Sequence, residues 1–313
     1  MKIYDLVIIG SGPAGMSAAI YAQRAMLDFV MIEKEYMPGG QVVQTYEVDN
    51  YPGIPKTNGM DLGLKFSEHA KELGAKSITA EVKEIYADEE IKEIMLKNGD
   101  ILKTRTIILA TGAVHQTLGI EGEEKLKGMG VSYCATCDAN FFEDFEVYVV
   151  GGGDSAVEEA MYLTKFARKV TIIHRRNELR AAKSIQEKAF KNPKLFFMWD
   201  TVVEKLEGED ILQAMYVKNV KTGEVTKVEA DPEDGMFGLF GFIGTVPNTK
   251  IFEGVIDMDE RGYIKTDADM HTNIPGVYAA GDVRVKSLRQ VVTAAADGAI
   301  AAVQVERSMS DYF

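Results

Sequence analysis

Apolar residues fall along this chain in short runs punctuated by glycine. DLVIIG (residues 5–10) and EVYVVG (146–151) read as strands that end in a tight turn. Each leads into a segment whose apolar and small residues recur at helical spacing, PAGMSAAIYAQRA and DSAVEEAMYLTKFA. A second apolar run closes each unit, FVMIEKE (29–35) and KVTIIHRR (169–176). The order strand, helix, strand occurs twice, which predicts an α/β fold with two Rossmann-like dinucleotide-binding units. Further on, IPGVYAAGDV (274–283) predicts another strand, followed by a long small-residue helix from about Arg289 to Arg307. GMFGLFGFIG (235–244) predicts a buried strand, far too short to cross a bilayer.

The two units align without a gap, Tyr4–Glu35 on Phe145–Arg176. In the first, Gly10, Gly12 and Gly15 form G-x-G-x-x-G: a tight turn, close backbone approach to a pyrophosphate, and close helix-to-strand packing. In the second, Gly151, Gly153 and Ala156 form the G-x-G-x-x-A variant. The following helix aims unpaired N–H groups and its positive dipole end at the phosphates. The residue ending the second strand separates the two ligands. Glu33 is the acid expected on a ribose 2'-hydroxyl, as in FAD or NAD. The same count from Gly151 lands on His174, followed by Arg175, Arg176 and Arg180. Guanidinium forks bind a 2'-phosphate that a carboxylate would repel, so the second unit is expected to take NADPH. The alternative is a solvated basic patch at a strand end.

Length and charge narrow the picture. At 313 residues the chain exceeds the size at which one core usually keeps growing, so two domains are expected. A net charge of -13 argues against nucleic acid or an anionic membrane as partner. With no spanning run and no secretory leader, a cytoplasmic protein is expected. Cys134 and Cys137, spaced C-x-x-C, are the only cysteines. Such a pair is half of a zinc site, a redox dithiol, or two buried small hydrophobes. The histidines at 69, 115, 174 and 271 show no metal-binding spacing, which disfavours zinc.

With these motifs in hand, the chain resembles the low-molecular-weight, bacterial-type thioredoxin reductases of the pyridine nucleotide-disulfide oxidoreductases, over nearly its whole length. The matching marks are GSGPAG, GGQ at 39–41, EVDNYPG around Asn50, ATGA at 110–113, CATCD, GGGDSA, HRRxxxR, GTVPNT at 244–249, AAGD, and Arg289 with Gln290. The resemblance implies an FAD domain from residues 1–115 and 246–313, with an NADPH domain, 116–245, inserted between and carrying the dithiol. It implies flavin-binding roles for Gly40, Gln41, Asn50, Ala110, Gly112, Asp282, Arg289 and Gln290, and nucleotide-binding roles for Asp154 and Ser155. Cys137 would be the thiol next to the flavin, Cys134 the interchange thiol, and Asp138 the acid that moves a proton. The implied activity passes electrons from NADPH through FAD and the dithiol to thioredoxin, with rotation of the inserted domain and a homodimeric assembly. A relative fed by ferredoxin has lost the nucleotide motifs that this chain retains. A reductase for another redoxin is a further alternative. A relative with an extra N-terminal thioredoxin-like domain is not expected, since the first strand begins at about Tyr4. A flavin-binding sensor would have no need of Cys134.

Overall fold

The computed structural model describes residues 2–45, 48, 50–87 and 89–310. The chain divides into two compact units, Met1–Val114 with Val246–Phe313, and His115–Thr245.

The first unit begins with β1 (Ile3–Ile9), α1 (Pro13–Arg24), β2 (Phe29–Glu33), α2 (Gly59–Glu72), β3 (Ser77–Thr79), β4 (Val82–Tyr86), β5 (Lys92–Leu96) and β6 (Ile101–Leu109). The chain leaves it along β7 (Ala113–His115). The second unit runs through α3 (Glu123–Leu126), β8 (Val131–Ser132), α4 (Ala135–Asp138), β9 (Glu146–Gly151), α5 (Asp154–Leu163), β10 (Lys169–Ile173), α6 (Lys183–Phe190) and β11 (Leu195–Met198). It continues with β12 (Thr201–Glu207), β13 (Ala214–Asn219), β14 (Val225–Glu229) and β15 (Gly238–Phe242). The chain returns along β16 (Thr245–Pro247) and ends the first unit with β17 (Val277–Ala279) and α7 (Val291–Ser310).

Strand order in the first unit is β3-β2-β1-β6-β5-β4, with β17 also on β6. The pairs around β1 are parallel, whereas β4, β5 and β6 pair antiparallel. Both faces of the central strands are covered, which is why they read as unbroken apolar runs. Leu6 and Ile8 pack into one cluster with Ala18, Ala22, Ala301 and Val305 of the helices. Val7 and Ile9 point the other way, onto Ile94, Ile107 and Phe252.

The second unit repeats the theme with a parallel sheet, β11-β10-β9-β15-β8. Val147, Val149 and Ile172 face α5 through Ala156 and Ala160, and Ala135 of α4 joins the same cluster. On the other face Tyr148, Ile173 and Leu239 pack on Leu206, Met215 and Val217 of an antiparallel sheet, β12-β13-β14. The run at 235–244 forms β15, buried along its length. Helix α7 starts at Val291 and runs to Ser310, slightly later at both ends than the pattern predicts. Gln290 stays outside it, where its N–H donates to Thr293 Oγ1 at 3.2 Å. Among the described residues no helix is long and apolar enough to cross a membrane.

Helix α7 lies against α1 so closely that a Cβ at Gly298 would overlap the Ala14 carbonyl oxygen. Replacing Gly298 by Ala is therefore expected to cost about 1–3 kcal/mol through overpacking. A lower urea midpoint with an unchanged slope would show this, and an unchanged midpoint would contradict it.

Candidate active site

In the first unit the glycine turn after β1 is closed by neighbours that come from far along the chain. Gly10 has φ +109°, and a Cβ there would overlap the Ala110 carbonyl oxygen. Gly15 packs with equal closeness on the Gly10 carbonyl, and Gly40 stands over the Cα of Gly12. Gly12 caps α1 without any side-chain cap, so the first N–H groups of α1 receive no acceptor from its cap. Glu33, at the end of β2, holds the turn from beside it: its Oε2 accepts from the Ser11 N–H at 2.8 Å and from Ser11 Oγ at 2.6 Å. Thr111 and Asn248 exchange hydrogen bonds of 2.8 and 3.0 Å, and the Asn248 N–H donates to the Gly112 carbonyl, which joins ATGA to GTVPNT.

The distant candidates also meet. Asn50 Nδ2 donates to Gln290 Oε1 at 3.1 Å across 240 positions of sequence. Glu47 and Asp49 of the EVDNYPG motif lie outside the described residues. The Arg289 guanidinium lies 3.9 Å above the Tyr263 ring. Three buried polar atoms here have no hydrogen-bond partner: Gln41 Nε2, Asp282 Oδ1 and Arg289 Nε. Burial raises the Asp282 carboxyl above its ordinary range, against the pull of Lys286 and Arg289. Orphaned buried groups of this kind are rare in proteins and mark where a polar ligand would complete the bonding. Two donors, an acceptor and an uncapped helix start fit a flavin dinucleotide, with its pyrophosphate, hydroxylated chain and polar ring edge.

The second unit rebuilds the turn with a different rim. Gly153 caps α5 with no side-chain cap, and Ser155 is exposed in its first turn. Asp154 Oδ1 accepts the Ala182 N–H at 2.7 Å, and the Arg180 N–H donates to the Gly152 carbonyl at 2.7 Å, so the loop after β10 is tied to the glycine turn. The buried His174 ring presses on Gly152 so tightly that a Cβ there would overlap it. Burial lowers the His174 pKa, and the charges of Arg180, Arg176 and Arg175 lower it further, in that order. All three arginines are exposed, and His174 feels each, so their charge converges on this turn. Such a rim fits a doubly charged phosphate.

The dithiol occupies the start of α4 in the same unit, and α4 packs on α5. Cys134 and Cys137 are joined as a disulfide. Cys134 caps the helix, its Sγ accepting the Cys137 N–H at 3.2 Å. Cys137 is exposed and Cys134 half-buried. Asp138 Oδ2 accepts from Ser132 Oγ at 2.6 Å, and Ser132 Oγ in turn accepts the Cys134 N–H at 3.1 Å. A single hydroxyl thus connects the carboxylate to the backbone of the first cysteine.

A family model for the pyridine nucleotide-disulphide oxidoreductases matches residues 4–298. The chain belongs to the pyridine nucleotide-disulphide oxidoreductase family. It is similar to the thioredoxin reductase of Peptoclostridium acidaminophilum, 56% identical over 313 residues, 100% of this chain and 99% of that protein. The thioredoxin reductase of Bacillus subtilis (strain 168) is 46% identical, with 99% and 96% covered. The crystal structure of Lactococcus lactis thioredoxin reductase superposes with a TM-score of 0.94 at 45% identity, covering 98% of this chain and 99% of that one.

Three residues of this family member escape its motifs. Ser132 lies in a two-residue strand that no periodicity marks. The buried Ser67 hydroxyl, without a partner, lines a cleft beside Glu33 together with Met16, Met31 and Thr79. Glu159, on α5, has a sealed Oε2 without a partner, and burial, aided by Glu158, pushes its carboxyl up to about 7. The ordinary value is 4.5, so the folded protein binds more protons than the unfolded chain between about 4.5 and 7, and stability falls as pH rises through that window. Glu159→Gln is expected to abolish this slope, stabilising the protein more at pH 8 than at pH 5. Urea midpoints at the two pH values check this, and equal changes would contradict it.

Proposed function

We propose that this chain is an NADPH-dependent disulfide reductase that passes two electrons through bound FAD and the Cys134–Cys137 pair to the disulfide of thioredoxin or a similar redoxin. The observation that carries the reading is the Cys134–Cys137 disulfide on α4, packed on the helix that rises from the arginine-rimmed glycine turn. The relatives named thioredoxin reductase across its full length supply the protein substrate. Homodimeric assembly is part of the same reading.

In this reading residues 1–115 and 246–313 hold FAD and residues 116–245 hold NADPH. Glu33 orders the first turn through Ser11 and presents a carboxylate to a ribose hydroxyl. Gln41, Asp282 and Arg289 offer the flavin dinucleotide the atoms that the protein leaves unpaired. Arg175, Arg176 and Arg180 bind the 2'-phosphate, and neutral His174 supports the turn beneath them. Bound FAD would supply the two-electron relay between nicotinamide and disulfide.

Thiol exchange is then the work of the chain itself. The Cys134 thiolate attacks one sulfur of the substrate disulfide, and the other sulfur leaves as a thiolate. Cys137 next attacks Cys134 Sγ, which restores the internal disulfide and releases the second substrate thiolate. Two protons are needed at the departing sulfurs, and in this reading Asp138, whose Oδ2 accepts from Ser132 Oγ, moves them. The assignment of interchange to Cys134 rests on the family resemblance, since Cys137 is the more exposed in the disulfide state.

No observation favours ferredoxin as donor, because the second glycine turn and its arginines are complete. The test is anaerobic mixing with NADPH or NADH, following flavin absorbance. Fast bleaching is expected with NADPH, and replacing Arg175 and Arg176 by Ala should raise the NADPH KM by about 10- to 100-fold with little change for NADH. Equal effects on both nucleotides would show that the arginines do not read the 2'-phosphate. Failure of both nucleotides would overturn the donor assignment.

A further inference from the structure

Beneath the Gly281–Asp282 turn lies a charged cluster that none of the dinucleotide motifs contains. Asp297, in α7, is 6% exposed, on a helix whose other core-facing residues include Ala294, Ala301 and Val305. Its Oδ2 accepts the Gly281 N–H at 3.0 Å and the Lys286 ammonium at 2.7 Å, and its Oδ1 accepts from Arg284 Nη1 at 3.1 Å. Arg284 also donates from Nε to Thr266 Oγ1 at 2.7 Å. Both cations are nearly sealed, with side-chain exposures of 13% for Arg284 and 8% for Lys286.

Stability alone is a poor reason for such a cluster, since well-packed apolar residues usually serve a core at least as well as buried ion pairs. The contacts of the Asp297 carboxylate have one direction instead: the bonds to Gly281, Arg284 and Lys286 all go to the segment 281–286. That segment carries Asp282, with its orphaned Oδ1, and leads to Arg289, with its orphaned Nε. The next residue of α7, Gly298, is the one pressed on the Ala14 carbonyl at the first glycine turn. Residues 297 and 298 therefore join α7 to the Gly281–Asp282 turn and to the start of α1 at the first glycine turn. Counting formal charges, Asp282 and Asp297 stand against Arg284, Lys286 and Arg289, which leaves one positive charge for an anionic group.

We propose that Asp297 is a positioning residue for the flavin dinucleotide: by gripping the Gly281 amide and the Lys286 ammonium, it fixes the Gly281–Asp282 turn in the shape that receives the ligand. This rests on the reading that the first unit binds FAD. Asp297 does not touch the flavin itself but acts through Asp282 and the turn.

The test uses the full-length, FAD-loaded protein and two variants. Asp297→Asn keeps the side-chain shape and removes the charge. The double variant Asp297→Leu with Lys286→Met removes the acceptor and the ammonium that would be left without any of its bonds described above, while Arg284 loses one bond and keeps Thr266 Oγ1 as its acceptor. FAD release is followed by the rise in flavin fluorescence, the band shape of bound flavin by its visible spectrum, and folding by thermal unfolding of the FAD-free protein. Both variants are expected to release FAD at least about tenfold faster and to alter the flavin band. The double variant is expected to do so even with a melting temperature close to that of the unaltered protein, and it carries the test if Asp297→Asn fails to fold. A lower melting temperature with unchanged FAD release and spectrum would reduce Asp297 to a structural role and overturn the proposal. So would a double variant that releases FAD at the original rate. An unaltered protein unable to retain FAD would instead remove the premise, which separates the two failures.

Discussion

Backbone N–H groups can grip a pyrophosphate only where nothing larger than hydrogen stands between a strand end, a helix start and the ligand. This protein meets that constraint twice, and much of its architecture follows from it. At Gly10 the turn is pressed on Ala110, at Gly152 on His174, and each has a glycine at the cap of the following helix. A side chain at Gly10 or Gly152 would overlap atoms of the fold itself, whereas a Cβ at the cap positions Gly12 and Gly153 would overlap none of them. Two parallel sheets, covered on both faces, supply rigid strand ends from which such turns can be hung.

What the two turns would bind is decided at their rims. Glu33 is committed through Ser11 to its own turn and brings negative charge to that rim. In the other unit the corresponding position is a buried neutral histidine under three arginines, where positive charge accumulates. The same backbone geometry would thus suit two dinucleotides whose adenosine riboses differ at the 2'-position, one a free hydroxyl and one a phosphate. The dithiol takes its place in the second unit because α4 packs on α5, through Ala135 against the small residues Ala156 and Ala160. Ser132 then connects Asp138 to Cys134, so the acid and the sulfur chemistry share a single short segment.

Much of this was legible in the sequence, for a physical reason. A strand buried on both faces shows as a continuous apolar run, and a turn that approaches a phosphate shows as glycine, so β1, β9 and both glycine turns announce themselves. The duplicated pattern fixed where the contrasting rim residues had to be. Contacts made by tertiary folding left no such trace. Asn50 and Gln290 are 240 positions apart, and the sequence offered them only as separate family marks. Asp297 reads as an ordinary helical acid until the fold buries it against Gly281, and Ser67 as an ordinary helical serine until the fold seals it beside Glu33. The antiparallel sheet β12-β13-β14 carries no motif and emerged only with the structure.

In the proposed reaction, electrons reach the substrate through the flavin and then through Cys134 and Cys137, in series. An anaerobic reductive titration measures this directly, by counting electrons taken up per chain before the flavin is fully bleached. About four are expected for the unaltered protein, two for the flavin and two for the disulfide, falling to about two in Cys134→Ser. Uptake of about two electrons by both proteins would contradict the proposed reaction, because the disulfide would then stand outside the path.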